Sequence, residues 1–265
     1  MIRVLAVFFC LIGTASHSKS MKLAVTTSFH NSGLSNVLLP VLLEDTGLEV
    51  QLLVVGTGQA LRLGKAGDVD AILVHSRADE DGFVDEGFAP YRREIMYNDF
   101  VFVGPSSDPA GIANAADTTQ VLSRIATKQA LFVSRGDDSG THKKERALWQ
   151  AAALDTETFV AWYKSVGSGM GASLNTASAL NAYILADRAS WLNFGNKSDL
   201  KLLFSGNPEL INQYAFLPIS SDKHPHVRAD ASQVFENWLT SPRAENLING
   251  HRINGEALFV FNASK

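Results

Sequence analysis

From Lys22 onward, short β-branched apolar runs alternate with amphipathic stretches, and this alternation restricts the fold more than any other feature. "KLAVTTS", "EVQLLVVG" and "DVDAILVHS" read as strands, while "NSGLSNVLLPVLLEDTG", ending at Gly47, and "TGQALRLGKAG" read as the helices between them. The runs are nearly continuous, which suits strands covered on both faces in a parallel sheet. Strand–helix alternation of this kind means an α/β fold. Pro40 inside the first helix removes a backbone donor, so a kink is expected there.

"RREIMYNDFVFVGP" (92–105) is a longer extended run, closed by a Gly-Pro break. A second strand–helix set follows: "TTQVLSRIATKQ", "ALFVSRGDDSG", the helix "THKKERALWQAAA", then "YILADRASWLNF" and "LKLLF". "QYAFLPIS" (213–220) is again extended, and helical "HVRADASQVFENWLTSP" and "GEALFVF" close the chain. Two long extended segments so far apart fit paired crossovers between two lobes; a single domain with two long strands is the alternative. There is no internal repeat and no low-complexity segment.

A chain of 265 residues has room for one large domain or two small ones with real cores. Its 46% hydrophobic and 19% charged composition is that of an ordinary globular protein. The net charge of −4 argues against nucleic acid or an anionic membrane as a partner. Any anion bound here must be drawn by a local site.

The N-terminus has the order of an export signal, spanning 1–20. Arg3 is the positive flank, an apolar run covers 4–12, and Thr14, Ala15 and Ser16 supply small residues. The run is too short to span a bilayer, which takes about 20 residues. Cys10, the single cysteine, sits inside it behind Phe9 rather than a small residue, so no lipid anchor is expected. The mature chain then has no thiol, which suits an oxidising compartment such as a periplasm.

Four glycine- and hydroxyl-rich turns each follow a strand and open a helix: Thr26-Thr27-Ser28, Gly56-Thr57-Gly58, "SRGDDSGT" (134–141) and "GSGMGASL" (167–174). Each sets backbone N–H groups and hydroxyl donors at a helix N-terminus, where the dipole favours negative charge. One such turn is ordinary capping. Four in one α/β chain point to a shared anion site, because strand C-terminal ends converge on one crevice. In the third turn, Arg135 offers a planar fork of donors, and Ser139 and Thr141 offer hydroxyls. Gly136 and Gly140 let the backbone come close. Ionised Asp137 and Asp138 cannot donate, so their expected work is to orient Arg135 or cap the next helix. Lys143, Lys144 and Arg146 form its solvated face.

Catalysis is not expected. His142 lies near Ser139 and Asp138 in sequence, but no nucleophile-elbow pattern is present. His224 and His226 lack partners at a zinc spacing, so no free metal cation is expected. "GTGQAL" lacks a P-loop lysine, and "GSGMG" lacks the dinucleotide fingerprint.

Taken in order, "VTTS", "VGTGQALRLGKAGDVDAILVH", "MYNDFVFVGP", "SRGDDSGTHKKE" and "GMGASL" resemble the periplasmic tungstate-binding proteins of ABC transporters, the TupA family. The resemblance covers essentially the whole mature chain. It implies a two-lobed α/β periplasmic binding protein of the type II solute-binding fold, with two hinge crossovers, closing over an oxyanion. The implied contacts are Thr27, Ser28, Thr57, Arg135, Ser139 and Thr141, with backbone amides of the same turns. The implied ligand is tungstate, with molybdate possible by shape and charge; no cofactor is implied, and the partner is an ABC transporter permease. Val25 stands where the family has a first threonine, and no acidic residue lies near Ala179.

"RGDDSGT" also fits an Arg-x-Asp-x-Ser-Gly-Thr pattern resembling periplasmic phosphate-binding proteins. The two ligands differ in one proton: phosphate keeps one at neutral pH and can donate it to a carboxylate, whereas tungstate only accepts. Asp137 turned into the cleft favours phosphate, and Asp137 turned onto Arg135 favours tungstate. A regulatory oxyanion-sensing module is the third possibility. The expectation is an exported, non-catalytic monomer with one lobe of 21–103 plus 215–265 and another of 104–214.

Overall fold

The computed structural model describes residues 19–263, so the expected export segment lies outside the described residues except for its last two. The chain opens with β1 (Lys19–Thr26), the short α1 (Thr27–Asn31) and α2 (Leu34–Thr46). Then come β2 (Leu48–Val55), α3 (Thr57–Ala66), β3 (Ala71–Val74) and α4 (Arg77–Asp85). The long β4 (Arg93–Pro105) leads to α5 (Thr118–Lys128), β5 (Phe132–Ser134), α6 (Gly140–Ala151) and β6 (Tyr163–Ser165). α7 (Met170–Leu180), β7 (Tyr183–Asp187), α8 (Arg188–Asn193) and β8 (Leu200–Phe204) follow. β9 (Ile211–Pro218) returns the chain to α9 (Ala229–Leu239), α10 (Pro242–Gly250) and the short β10 (Arg252–Ile253), β11 (Glu256–Ala257) and β12 (Val260–Phe261).

The parallel pairing expected from the apolar runs is found within each lobe: β1 with β2 and β3, and β5 with β6 and β7. The two long extended runs between them are antiparallel, β9 to β3 and β4, and β4 to β7 and β8. Residues 93–99 of β4 lie against β9, and residues 100–105 against β7 and β8. One strand thus passes from the first lobe's sheet into the second's, with β9 beside it. Polar contacts mark the crossing: Asn212 Nδ2 donates to Asn98 Oδ1 at 2.7 Å, and Arg188 grips Asp99 at 2.5 and 2.7 Å.

"KLAVTTS" stops being a strand at Thr26, whose hydroxyl accepts the Phe29 N–H at 3.3 Å and caps α1. Thr27 and Ser28 therefore open a helix. Val25 is fully buried in the core, so losing a threonine there removes no surface donor. α2 runs past Pro40 unbroken, held by its buried Leu34, Leu38 and Leu42. Gly47 ends it in the left-handed conformation (φ 68°).

One apolar cluster runs through β4, from Leu23, Leu42 and Phe216 in the first lobe to Val133, Leu174 and Ile184 in the second. A second cluster fills the second lobe, where Phe132, Trp149, Phe159, Trp162 and Tyr163 pack edge-to-face, stacked or tilted. Glu145 of α6 is buried among them, accepting from Trp149 Nε1 at 3.2 Å and Tyr163 OH at 2.6 Å. This anchors the helix whose tip reaches the cleft. Burial pushes the Glu145 carboxyl up to about 7, against hydrogen bonds from Tyr163 that lower it. A carboxyl raised in the folded state gives stability that is present below its unfolded value and lost as pH rises through about 7. Glu145→Gln keeps an acceptor and removes the titration. Its melting temperature is expected to gain on the unmodified protein's as pH rises from 5 to 8, by the equivalent of about 1–3 kcal/mol. A difference that stays constant with pH would refute this.

Candidate functional site

Three helix N-termini meet between the lobes, those of α1 and α3 from the first and α6 from the second. They border a cavity of about 70 Å3. Thr27, Ser28, Thr57, Arg135, Ser139 and Thr141 all line it, joined by Thr26, Gly56, His75 and Gly140. One water-sized group needs roughly 10–15 Å3, so the space suits an ion of about five atoms. Sugar- or drug-sized ligands occupy about 300 Å3 or more.

The helix tips supply donors because the first N–H groups of a helix have no intrahelical acceptor. α3 is capped by Gly56, which has no side chain to absorb them. At α6 the Ser139 hydroxyl oxygen takes the His142 N–H at 3.3 Å, leaving those of Gly140 and Thr141 uncommitted among the described residues. The lobes close tightly here: a Cβ on Gly140 would come within 2.9 Å of His75 Cε1 and 3.6 Å of Thr57 Oγ1.

Arg135 is only partly committed. Its Nη2 meets Asp137 Oδ2 at 2.5 Å, its Nη1 reaches Thr141 Oγ1 at 3.5 Å, and its Nε is buried with no protein partner among the described residues. A buried donor without an acceptor is rare in native proteins and calls for a ligand or a water. Asp137 turns onto Arg135, and its other oxygen accepts the Ser139 N–H at 3.3 Å. Burial works to raise the Asp137 carboxyl, but hydrogen bonds from Ser139 and the Arg135 charge outweigh it and hold it below the usual range. Asp137 is therefore ionised, satisfied and absent from the cavity wall.

Ser139 and Thr141 both accept through oxygen, so their protons remain for the cavity. Thr27 differs. Its hydroxyl lies 3.5 Å from Val55 O, so its backbone N–H is the better-placed donor. Ser28 Oγ sits among Thr26 Oγ1, Tyr214 OH and His75 Nε2 at 3.1, 3.1 and 3.2 Å. His75 was not among the expected residues. It follows the last apolar residue of β3, and a polar residue there, where strand ends face the crevice, was the available signal.

The fourth turn does not reach this cavity. Gly169, Met170 and Gly171 line an adjoining one of about 660 Å3, which shares Thr27, Ser28 and Arg135 as a common wall and includes Asp187. Burial holds the Asp187 carboxyl above the usual range, and it caps α8 through the Ser190 N–H at 2.9 Å. His142 faces neither. Its Nδ1 accepts the Asp138 N–H at 3.2 Å, and it lines a separate groove with Lys143 and Arg146. Ser139, Asp138 and His142 thus form a cap and a turn, not a relay.

Among the described residues, side-chain contacts tie the lobes together, Asn254 Nδ2 to Leu192 O at 2.9 Å being one. Lys143 Nζ of α6 meets Asp79 Oδ2 of α4 at 3.0 Å, and Asn193 Nδ2 donates to Asn31 O at 3.1 Å. Lys143 is therefore a bridge and not simply solvated. An exposed pair of this kind is worth up to about 1 kcal/mol, so Lys143→Met is expected to weaken ligand binding by no more than about fivefold. The difference should vanish in about 1 M salt, where charges are screened within about 3 Å. A larger, salt-insensitive loss would place Lys143 at the ligand instead.

The sequence profile described as a PBP superfamily domain matches residues 13–243. The tungstate-binding protein TupA of Peptoclostridium acidaminophilum is 42% identical over 250 residues, 93% of this chain and 87% of that protein. Among solved structures, the tungstate-binding protein TupA from Desulfovibrio alaskensis G20 superposes with a TM-score of 0.86 at 40% identity, covering 93% of this chain and all of that one. The tungstate ABC transporter structure from Geobacter sulfurreducens gives 0.79 at 44% identity, covering 87% and 98%. Both similarities extend over the two lobes and the strands between them.

Proposed function

Because this chain belongs to the TupA family of tungstate-binding proteins within the PBP superfamily, we propose that it captures tungstate between its lobes and delivers it to an ABC transporter. The observation that carries this is the wall of the small cavity, rich in donors and free of carboxylates. Backbone N–H groups, hydroxyls, one guanidinium and the His75 imidazole line it, and among the described residues no carboxylate does. A fully deprotonated tetrahedral dianion accepts from all of these groups. Protonated phosphate brings a donor, and with Asp137 committed to Arg135 and Ser139 it finds no carboxylate to receive it. Molybdate shares charge and shape with tungstate and enters the same site.

Arg135, Ser139, Thr141, Thr57, Ser28 and the Thr27 amide make the contacts. The lobes are 21–103 with 215–265 and 104–214, and they close as the ligand bridges α3 and α6. The chain works outside the cytoplasm after export, as a monomer that meets a permease, and it turns over no substrate. Titration calorimetry at neutral pH with tungstate, molybdate, phosphate and sulfate tests the assignment. Tungstate is expected to bind tightest and phosphate weakly. Phosphate binding tighter than tungstate would overturn it.

A further inference from the structure

We infer that His75 is a further anion-binding residue, donating its Nδ1–H to the bound oxyanion at the end of a chain of hydroxyl hydrogen bonds. This rests on the oxyanion reading of the cavity. His75 lines that cavity, with Nε2 3.2 Å from Ser28 Oγ, which is itself 3.1 Å from both Thr26 Oγ1 and Tyr214 OH. Nδ1 is buried and has no hydrogen-bond partner among the described residues. The ring edge that carries it faces the tip of α6: a Cβ on Gly140 would lie 2.9 Å from Cε1 and 3.5 Å from Nδ1.

The charge of the ligand selects the tautomer. Ser28 Oγ has one proton to give and can accept two. With the ring protonated at Nδ1, Thr26 and Tyr214 donate to Ser28, and Ser28 donates to Nε2. Every hydroxyl proton is then used, and the Nδ1–H is left for the cavity. With the proton on Nε2, Ser28 is equally satisfied by donating to Thr26 or Tyr214, but a lone pair at Nδ1 then faces an incoming dianion. Only the first arrangement turns a donor to the ligand.

The ring stays neutral while doing this. Burial, reinforced by the charge of Arg135, holds His75 down at about 4, although a contact with Asn212 works the other way. The other ionisable groups here are Tyr214, pushed up by burial and by the Asp187 charge, and Asp187 itself. His75 is thus a donor at neutral pH that adds no second positive charge beside Arg135.

The test is nitrogen NMR of the 15N-histidine-labelled protein, titrated with tungstate at neutral pH, together with calorimetry of His75→Phe and His75→Gln. The expected result is a proton on Nδ1 and a shift of the Nδ1 resonance on saturation. Phe should lose about two- to twelvefold in affinity, the range for one neutral donor, and Gln should recover part of it through its amide N–H. A proton on Nε2 would overturn the inference. So would an Nδ1 resonance unmoved by tungstate, or a Phe variant that binds as tightly as the unmodified protein. Should Phe fail to fold, the NMR result on the unmodified protein decides alone. Absence of tungstate binding to the unmodified protein overturns both readings, whereas binding with a silent His75 overturns this one only.

Discussion

Replacing Arg135 by Gln is expected to weaken tungstate binding by about ten- to a hundredfold. Gln retains amide donors but removes the charge, and a charge-assisted hydrogen bond is worth about 1.5–3 kcal/mol where a neutral one is worth about 0.5–1.5. The guanidinium is placed for this role by its surroundings: Asp137 holds one edge at 2.5 Å, and Nε is left buried without a protein acceptor. Asp137→Asn makes the sharper comparison. It loosens Arg135 without removing a ligand contact, so tungstate affinity should fall only modestly. If Asp137 accepted a ligand proton, the same change would instead weaken phosphate selectively. Calorimetry of both variants checks this, and an Arg135→Gln variant within twofold or so of the unmodified protein would remove Arg135 from the site.

Gly136→Ala is expected to lower the melting temperature by roughly 5–20 °C. Gly136 sits at φ 62°, and a Cβ there would come within 1.9 Å of Ser165 Oγ and 3.3 Å of the Gly167 backbone nitrogen. A left-handed conformation costs a side-chain-bearing residue about 1–2 kcal/mol, and overpacking adds about 1–3. At this chain length each kcal/mol moves the transition by about 2–4 °C. Because Gly136 lies between Arg135 and Asp137, relief of the clash also moves the pair, so affinity should fall with stability. Calorimetric melting with unchanged transition temperature would mean the turn absorbs the methyl group elsewhere.

How far the sequence could be read depended on how local the determining physics was. β-branched runs and glycine stops are local signals, so β1, β2, α2 and α3 were legible, as were the two long extended runs that became β4 and β9. α4 was not, because "RADEDGFVD" is mostly charged and presents only Glu80 and Phe83 to the interior. β6 has three residues, none of them fully buried, and carries no period to detect. At the site, residue types at helix tips announced an anion-binding turn, but side-chain directions did not follow from them. Asp137 faces Arg135 through a turn with positive φ at Gly136 and Asp138, and that conformation is a property of the packed loop. The fourth turn had the same composition as the others, yet packing placed it on the neighbouring cavity. His75 looked like the end of an apolar strand, and only its approach to Ser28 and α6 gave it a role.

The carboxylate-free cavity between α3 and α6 is the centre of this account, and diffraction from a tungstate complex at the tungsten absorption edge tests it most directly. The account predicts one anomalous peak in the small cavity, within hydrogen-bonding reach of the Thr57, Arg135, Ser139 and Thr141 donors, with both Asp137 oxygens still turned to Arg135 and Ser139. A peak in the adjoining cavity beside Gly169 and Asp187, or a tungstate oxygen against the Asp137 carboxylate, would contradict it.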